Sequence, residues 1–286
     1  MTESKHCKQI AVRQIDPRLY EKLKHQDASV HSVYAHTINL LSGDALIAIG
    51  SNFSFSNNRM IVEPVNFSIE HVNVHDPLKI THKGFQIGNL FFDISEASFH
   101  QTTYNLADFK WSSEHRTQLL ELLIWFVHVD KVKSMWLNQQ DIFTKYLLTK
   151  IYRFLKTDTC ENAQQLVGLG MGSTPLGDDV LLGYFIAKGS LDKLPLWTKS
   201  LIDGASEKTT PISYHSFLEA YDRTYTEHIY HMLYDFYMNQ ESHTLKEWMH
   251  YGDTSGVGIL AGFIFGLLSE GGMKSEGLEI IDQYLF

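Results

Sequence analysis

The chain has 286 residues, 44% of them hydrophobic and 20% charged, the composition of a globular protein with a sizeable core in one large domain or two. A net charge of −9 and the absence of any Lys/Arg run argue against a general affinity for nucleic acid. Cys7 and Cys160 form no CxxC pair, which disfavours a disulfide scaffold or zinc ribbon, and the most apolar late run, residues 257–268, is too short for the about 20 residues of a membrane span; with no apolar signal core in residues 1–6, a soluble cytoplasmic protein is expected.

Residues 1–107 read as a β-rich domain. A short helix over 16–24 precedes strands at 30–34, 45–49, 60–62, 67–69, 85–87 and 90–94, all β-branched or aromatic and separated by Gly, Asn, Asp and Ser. Gly43-Asp44 and Gly88-Asn89 suit hairpin turns, and the regular short spacing predicts an antiparallel sheet or small barrel. From residue 108 to 286 the period becomes helical. Helices are expected from Ser112 or Ser113 to 135, then over 140–155, 175–188, 195–202, 212–239 and 254–268. With no low-complexity linker between the halves, the expected fold is α+β, the β-rich domain packed on the helical one.

The most informative stretch is Gly168-Leu169-Gly170-Met171-Gly172-Ser173-Thr174-Pro175-Leu176-Gly177-Asp178-Asp179, followed at once by an apolar run. Glycine gives up the most backbone freedom on folding, so its density here points to a tight turn into a helix or to backbone approaching an anion. Pro175 suits the first helical turn, Ser173 or Thr174 an N-cap, and Asp178 and Asp179 the positive end of the helix dipole. A well-capped buried helix explains the same residues without any ligand. The pattern is not a P-loop, since no Lys-Ser/Thr follows, and its third glycine is misplaced for a dinucleotide fingerprint. Residues 256–265 echo 177–186: glycines six apart, an apolar helix after them and hydroxyls just upstream. If these two helices pack side by side with their N-termini together, their N–H groups converge on one anion site; otherwise they are a tight helix pair and nothing more.

Four groups of residues are candidates for chemistry. Asp178 or Asp179 could hold Mg²⁺ beside a phosphate, against simple dipole compensation. Lys208-Thr209-Thr210-Pro211-Ile212-Ser213-Tyr214-His215 opens a helix that Thr210 or Ser213 could cap, and His215 is a candidate general acid or base, though a histidine there also fits a surface or capping role. His228 and His231 lie near Glu227 at metal-binding spacing, which 15 histidines also produce by chance. His250, Asp253, Thr254, Ser255 and Gly256 form a polar entry to the last apolar helix, as pocket groups or as a plain loop and cap.

Taken together, residues 168–179 resemble the glycine-rich "GLGPGLTPSGDD" signature of a bacterial family long catalogued as a domain of unknown function. Residues 210–213 and 254–266 resemble its second and third blocks, and 30–34 with Asn39-Leu40 its N-terminal block. Some members of that family are assigned as a subunit of oxamate carbamoyltransferase in allantoin degradation, which interconverts oxalurate plus phosphate with oxamate plus carbamoyl phosphate. The resemblance thus implies a subunit of purine nitrogen catabolism working with two larger carbamoyltransferase subunits. Met171 replaces the family's proline, Ser173 a leucine and Leu176 a small polar residue, and Asp253-Thr254 stands for His-Ser.

The reading that follows is a carbamoyltransferase-type subunit or enzyme with a small anionic substrate. Gly170, Gly172, Ser173, Thr174, Gly177, Thr210, Ser213, Asp253, Thr254, Ser255 and Gly256 would bind the anion. Asp178, Asp179 and His215 are the catalytic candidates, no dedicated metal site is expected, and Mg²⁺ is the one cofactor the acids suggest. No nucleic-acid or membrane partner is expected; a homo-oligomer stays open. The alternative is a non-catalytic scaffold whose glycine-rich helices form a protein interface.

Overall fold

Asp16 shows how the N-terminal elements begin. Its carboxylate accepts from the Arg18 N–H at 2.7 Å and caps helix α1 (Pro17–His25), with proline at the first helical position where its missing N–H is no loss. In the computed structural model, which describes residues 7–43, 45–51, 56, 58–67, 71–99, 109–137, 141–239 and 242–285, this helix follows β1 (Lys8–Ile15) and precedes β2 (Ser29–Tyr34), β3 (Thr37–Ser42), β4 (Ala45–Gly50), β5 (Arg59–Val62), β6 (Leu78–Thr81), β7 (Gly84–Ile87), β8 (Leu90–Asp93) and β9 (Ser98–Phe99). The expected turn residue Asp44 and the strand positions Ser68 and Ile69 lie outside the described residues, as does residue 108.

The strands form one sheet in the order β2-β3-β4-β5-β1-β8-β7-β6, with β9 added to β1. An antiparallel bridge between Ser29 and Pro77, and the Leu78 N–H donating to Ala28 O at 2.8 Å, bring the two ends together, so the sheet is nearly a barrel. Hairpin neighbours pair antiparallel, whereas β1 runs parallel to β8 and β9, and β4 parallel to β5. Alternation turns Ile10 and Val12 inward beside Val30, Ile38, Leu40, Ile47, Ile49, Phe85 and Phe92, and the last two stack at 5.2 Å. Strands β1, β3, β6 and β9 are additions to the expected set. β3 (TINLLS) is interrupted by a buried polar residue, Asn39, and β6 (LKIT) carries only two apolar residues, Leu78 and Ile80.

The helical part contains α2 (Ser113–His128), α3 (Asp130–Leu137), α4 (Ile142–Lys156), α5 (Cys160–Gln164), α6 (Leu176–Ser190), α7 (Thr198–Asp203), α8 (Pro211–Tyr221), α9 (Glu227–Tyr234), α10 (His243–Lys246), α11 (Ser255–Glu270) and α12 (Lys274–Leu285). Two expected long helices are broken. Val129, with ψ near 130°, separates α2 from α3, and Arg223, at φ +57°, follows the end of α8 before α9 starts. The chain divides into two compact units, residues 1–104 with 224–229 and residues 105–223 with 230–286.

The second unit is organised on α6 and α11. Every residue of α6 except Leu182 is buried, as is every residue of α11 from Gly256 to Leu268. A helix that is apolar all round belongs in a core, and among the described residues no helix is long and apolar enough to cross a membrane. Phe185 packs edge-on against Phe217 of α8, and Phe263 against Trp248. At the C-terminal ends of the pair, buried Lys188 donates to Ser269 at 2.6 Å and pairs with Glu270 at 2.5 Å, a cation where both helix dipoles favour one.

Candidate functional site

Small residues set the α6–α11 contact. A Cβ on Gly183 would lie 1.9 Å from Ile259 O, and one on Gly262 1.9 Å from Val180 O; Gly258 faces Asp179 and Leu176, and Gly266 faces Ala187. These contacts advance in the same direction along both helices, so α6 and α11 run parallel and start at the same end. Thr174 Oγ1 and Ser255 Oγ, one hydroxyl from each entry, hydrogen-bond at 2.9 Å. The repeated glycine pattern thus corresponds to a pair of helices packed backbone to backbone.

The segment entering α6 is held in a conformation that only glycine adopts readily. Gly168, Gly170 and Gly172 have φ of +71°, +138° and +94°. A side chain at Gly168 would strike Lys208 O at 2.0 Å, and one at Gly170 would sit 2.5 Å from the Leu176 nitrogen, at the mouth of the helix; at Gly172 there is open space. The Gly177 N–H donates to Leu169 O at 2.8 Å, but the N–H groups of Gly170, Met171, Gly172, Ser173 and Thr174 donate to no acceptor among the described residues. Neither Ser173 nor Thr174 caps α6: Pro175 occupies the N-cap position and has no side-chain hydrogen-bonding group, while the Thr174 hydroxyl bonds across to Ser255. The N-cap of α11, Thr254, makes no such bond either. Two helix starts therefore lie side by side with no side-chain cap.

Asp178 and Asp179 differ despite adjacency, since helical neighbours point about 100° apart. Asp178 accepts from the Gly168 N–H at 2.7 Å and from the Thr209 hydroxyl, pinning the glycine loop and the entry to α8 onto α6. Burial raises its pKa, opposed by Thr209, the Gly168 N–H and Ser213. Asp179 is 2% exposed, and its Oδ2 meets no partner. Burial, reinforced by the charge of Asp178 and opposed by the Ser255 and Thr174 hydroxyls, pushes its pKa up to about 7.

The α8 entry joins the same group. Thr210 caps α8 by accepting from the Ser213 N–H at 3.1 Å, and its hydroxyl donates to Ser173 O at 2.6 Å. Pro211 takes the first helical position. The Ser213 hydroxyl is buried without a hydrogen-bond partner. Thr209 is the residue that motif reading underrates: it sits beside the Thr-Pro cap, and its bond to Asp178 spans 31 positions of sequence. Gly256 donates its N–H to Tyr251 O at 2.9 Å, and a Cβ there would meet Trp248 O. Asp253 and Thr254 are exposed on the turn before α11, whose preceding carbonyls Met249 O and Gly252 O accept from Lys131 Nζ. His215 lies half-buried one turn into α8, edge-on to the Tyr214 ring at 5.5 Å; His250 is exposed.

These donors suit an anion: free N–H groups, two helix dipoles and short hydroxyls. Both oxygens of Asp178 already accept hydrogen bonds, and no group of three or more His, Cys, Asp or Glu able to hold a metal occurs among the described residues, His228 and His231 included.

Comparison with family models matches residues 166–267 to oxamate carbamoyltransferase subunit AllH and residues 10–100 to the AllH family N-terminal domain. No curated protein and no solved structure matches. The first match spans all the segments described above, from the glycine loop to α11, and the second the strands from β1 to β9. With both family models on one chain, covering 102 and 91 of its 286 residues, the protein belongs to the AllH family, described as a subunit of oxamate carbamoyltransferase.

Proposed function

We propose that this protein acts in the cytoplasm as a subunit of oxamate carbamoyltransferase, beside two larger partner subunits, and binds a small anionic metabolite where α6 and α11 begin. The ligand class is that of the reaction: oxamate, oxalurate, phosphate or carbamoyl phosphate. The observation that carries this reading is the run of unpaired N–H groups from Gly170 to Thr174 beside two helix starts without side-chain caps. Fixed donors of this kind bind an anion and also stabilise negative charge developing on a carbonyl or phosphoryl oxygen. Thr174, Ser255, Thr210 and Ser213 add hydroxyls, and His215 stands as an acid/base candidate on the neighbouring helix.

The scaffold alternative, in which the glycine helices form a subunit interface, finds less support. Gly183, Gly258, Gly262 and Gly266 are occupied by the contact between α6 and α11 inside the chain.

Calorimetric titration with phosphate, oxamate and carbamoyl phosphate tests the proposal, on the full chain alone and co-purified with its partners. At least one ligand is expected to bind saturably. Replacing Thr174 with Val and Ser255 with Ala together should weaken it about tenfold or more, as expected when charge-assisted hydrogen bonds are lost. Wild-type protein that binds none of the three, alone or in complex, contradicts the proposal.

A further inference from the structure

Asp179 is the group that a plain anion site leaves unexplained. A buried carboxylate with one oxygen unpartnered is unfavourable, and a bound anion next to it would make it more so. Among the described residues no positive charge acts on it. From its own helix it faces Asp178; from the loop, the Thr174 hydroxyl; from α11, the Ser255 hydroxyl and Gly258, where an added Cβ would lie 2.7 Å from the Asp179 Cβ. Asp178 is the one titratable group acting on it, and both Asp178 oxygens are engaged by Gly168 and Thr209. The two hydroxyls beside Asp179 are those joined across the paired helix starts.

We propose that Asp179 works in this site as a neutral carboxylic acid, its free oxygen carrying a proton that it donates to an oxygen of the bound carboxylate or phosphate. The inference rests on the anion site proposed above. A carboxyl group stripped of water and of cations holds its proton more tightly, and an arriving anion tightens that hold further. Its pKa of about 7 in the free protein leaves it partly ionised near neutrality. Above that pH, each anion bound brings one proton from solvent onto Asp179; no covalent bond is made or broken elsewhere. The carboxyl then adds a donor to the row of N–H groups instead of a repelling charge.

Oxamate is the suitable probe, because its carboxylate stays ionised over the range tested. Calorimetric titrations of the full chain from pH 6 to 9, in two buffers of different ionisation enthalpy, read affinity and proton uptake together. The expected dissociation constant rises toward tenfold per pH unit above about pH 7, as one-proton linkage requires. The buffer-dependent heat should correspond to uptake approaching one proton per oxamate at pH 8. In Asp179→Asn the affinity should become flat across the range. Wild-type affinity that is constant or tightens with rising pH, with no proton uptake, overturns the role given to Asp179; the wild-type measurement decides this even if the variant fails to fold. Absence of oxamate binding at every pH, alone and in the co-purified complex, overturns the anion site itself.

Discussion

Among single residues, Asp179 links the site to the stability of the fold. Its pKa of about 7 lies well above that of an ordinary aspartate, so the folded state keeps a proton that the unfolded chain releases between about pH 4 and pH 7. Stability is therefore highest at the acid end of this window, falls as pH rises through it, and is fully reduced above pH 7. The pKa of Asp178, also raised, acts in the same direction. For Asp179 the loss amounts to about 4 kcal/mol at most, since each tenfold gain in proton affinity is worth about 1.4 kcal/mol. Denaturant unfolding at pH 5 and pH 8 should show the wild type less stable at pH 8, with Asp179→Asn removing most of the difference; equal pH dependence in the two proteins would sink this explanation. That both acids lie at a helix start is legible in the sequence. Their separate roles are not, because Asp178 is defined by Gly168 and by Thr209, far apart in the chain, and Asp179 by a buried oxygen, Oδ2, that meets no partner.

Among the elements, the paired helices contain glycines of two kinds. Gly262 lies where a Cβ would be 1.9 Å from a backbone carbonyl, so Gly262→Ala must push α6 and α11 apart. The expected cost is about 3 kcal/mol or more. Gly172, in the loop entering α6, has open space around it and only its φ of +94° to object, so Gly172→Ala should cost about 1 to 2 kcal/mol. Chemical denaturation of both variants checks the order; a larger loss for Gly172→Ala would contradict the assignment. The helix contact is legible in the sequence, since glycines six apart before two apolar runs imply a matched pair. The missing caps are not. Thr174 has the chemistry of an N-cap, but the N-cap position falls on Pro175, and the Thr174 hydroxyl bonds to Ser255 instead. Likewise Val129 and Arg223 break helices at residues that carry no breaker signal.

For the molecule as a whole, the strand-rich and helical halves are readable from the change in hydrophobic period. The near closure of the sheet is not, because it depends on Ser29 meeting Pro77 and on parallel pairings of β1 and β4, which hairpin signals do not report. The family assignment rests on both halves of the chain and makes this a subunit of a multi-subunit enzyme. Whether such a subunit carries an anion site of its own, at the start of α6 and α11, is decided by following backbone amide resonances during titration with oxamate. The sample is isotope-labelled full-length protein, alone or with its partner subunits. Saturable shifts concentrated at Gly170, Gly172, Ser173, Thr174 and Ser255 are predicted. Saturable binding that leaves those amides unmoved, or no binding, would contradict the proposed site.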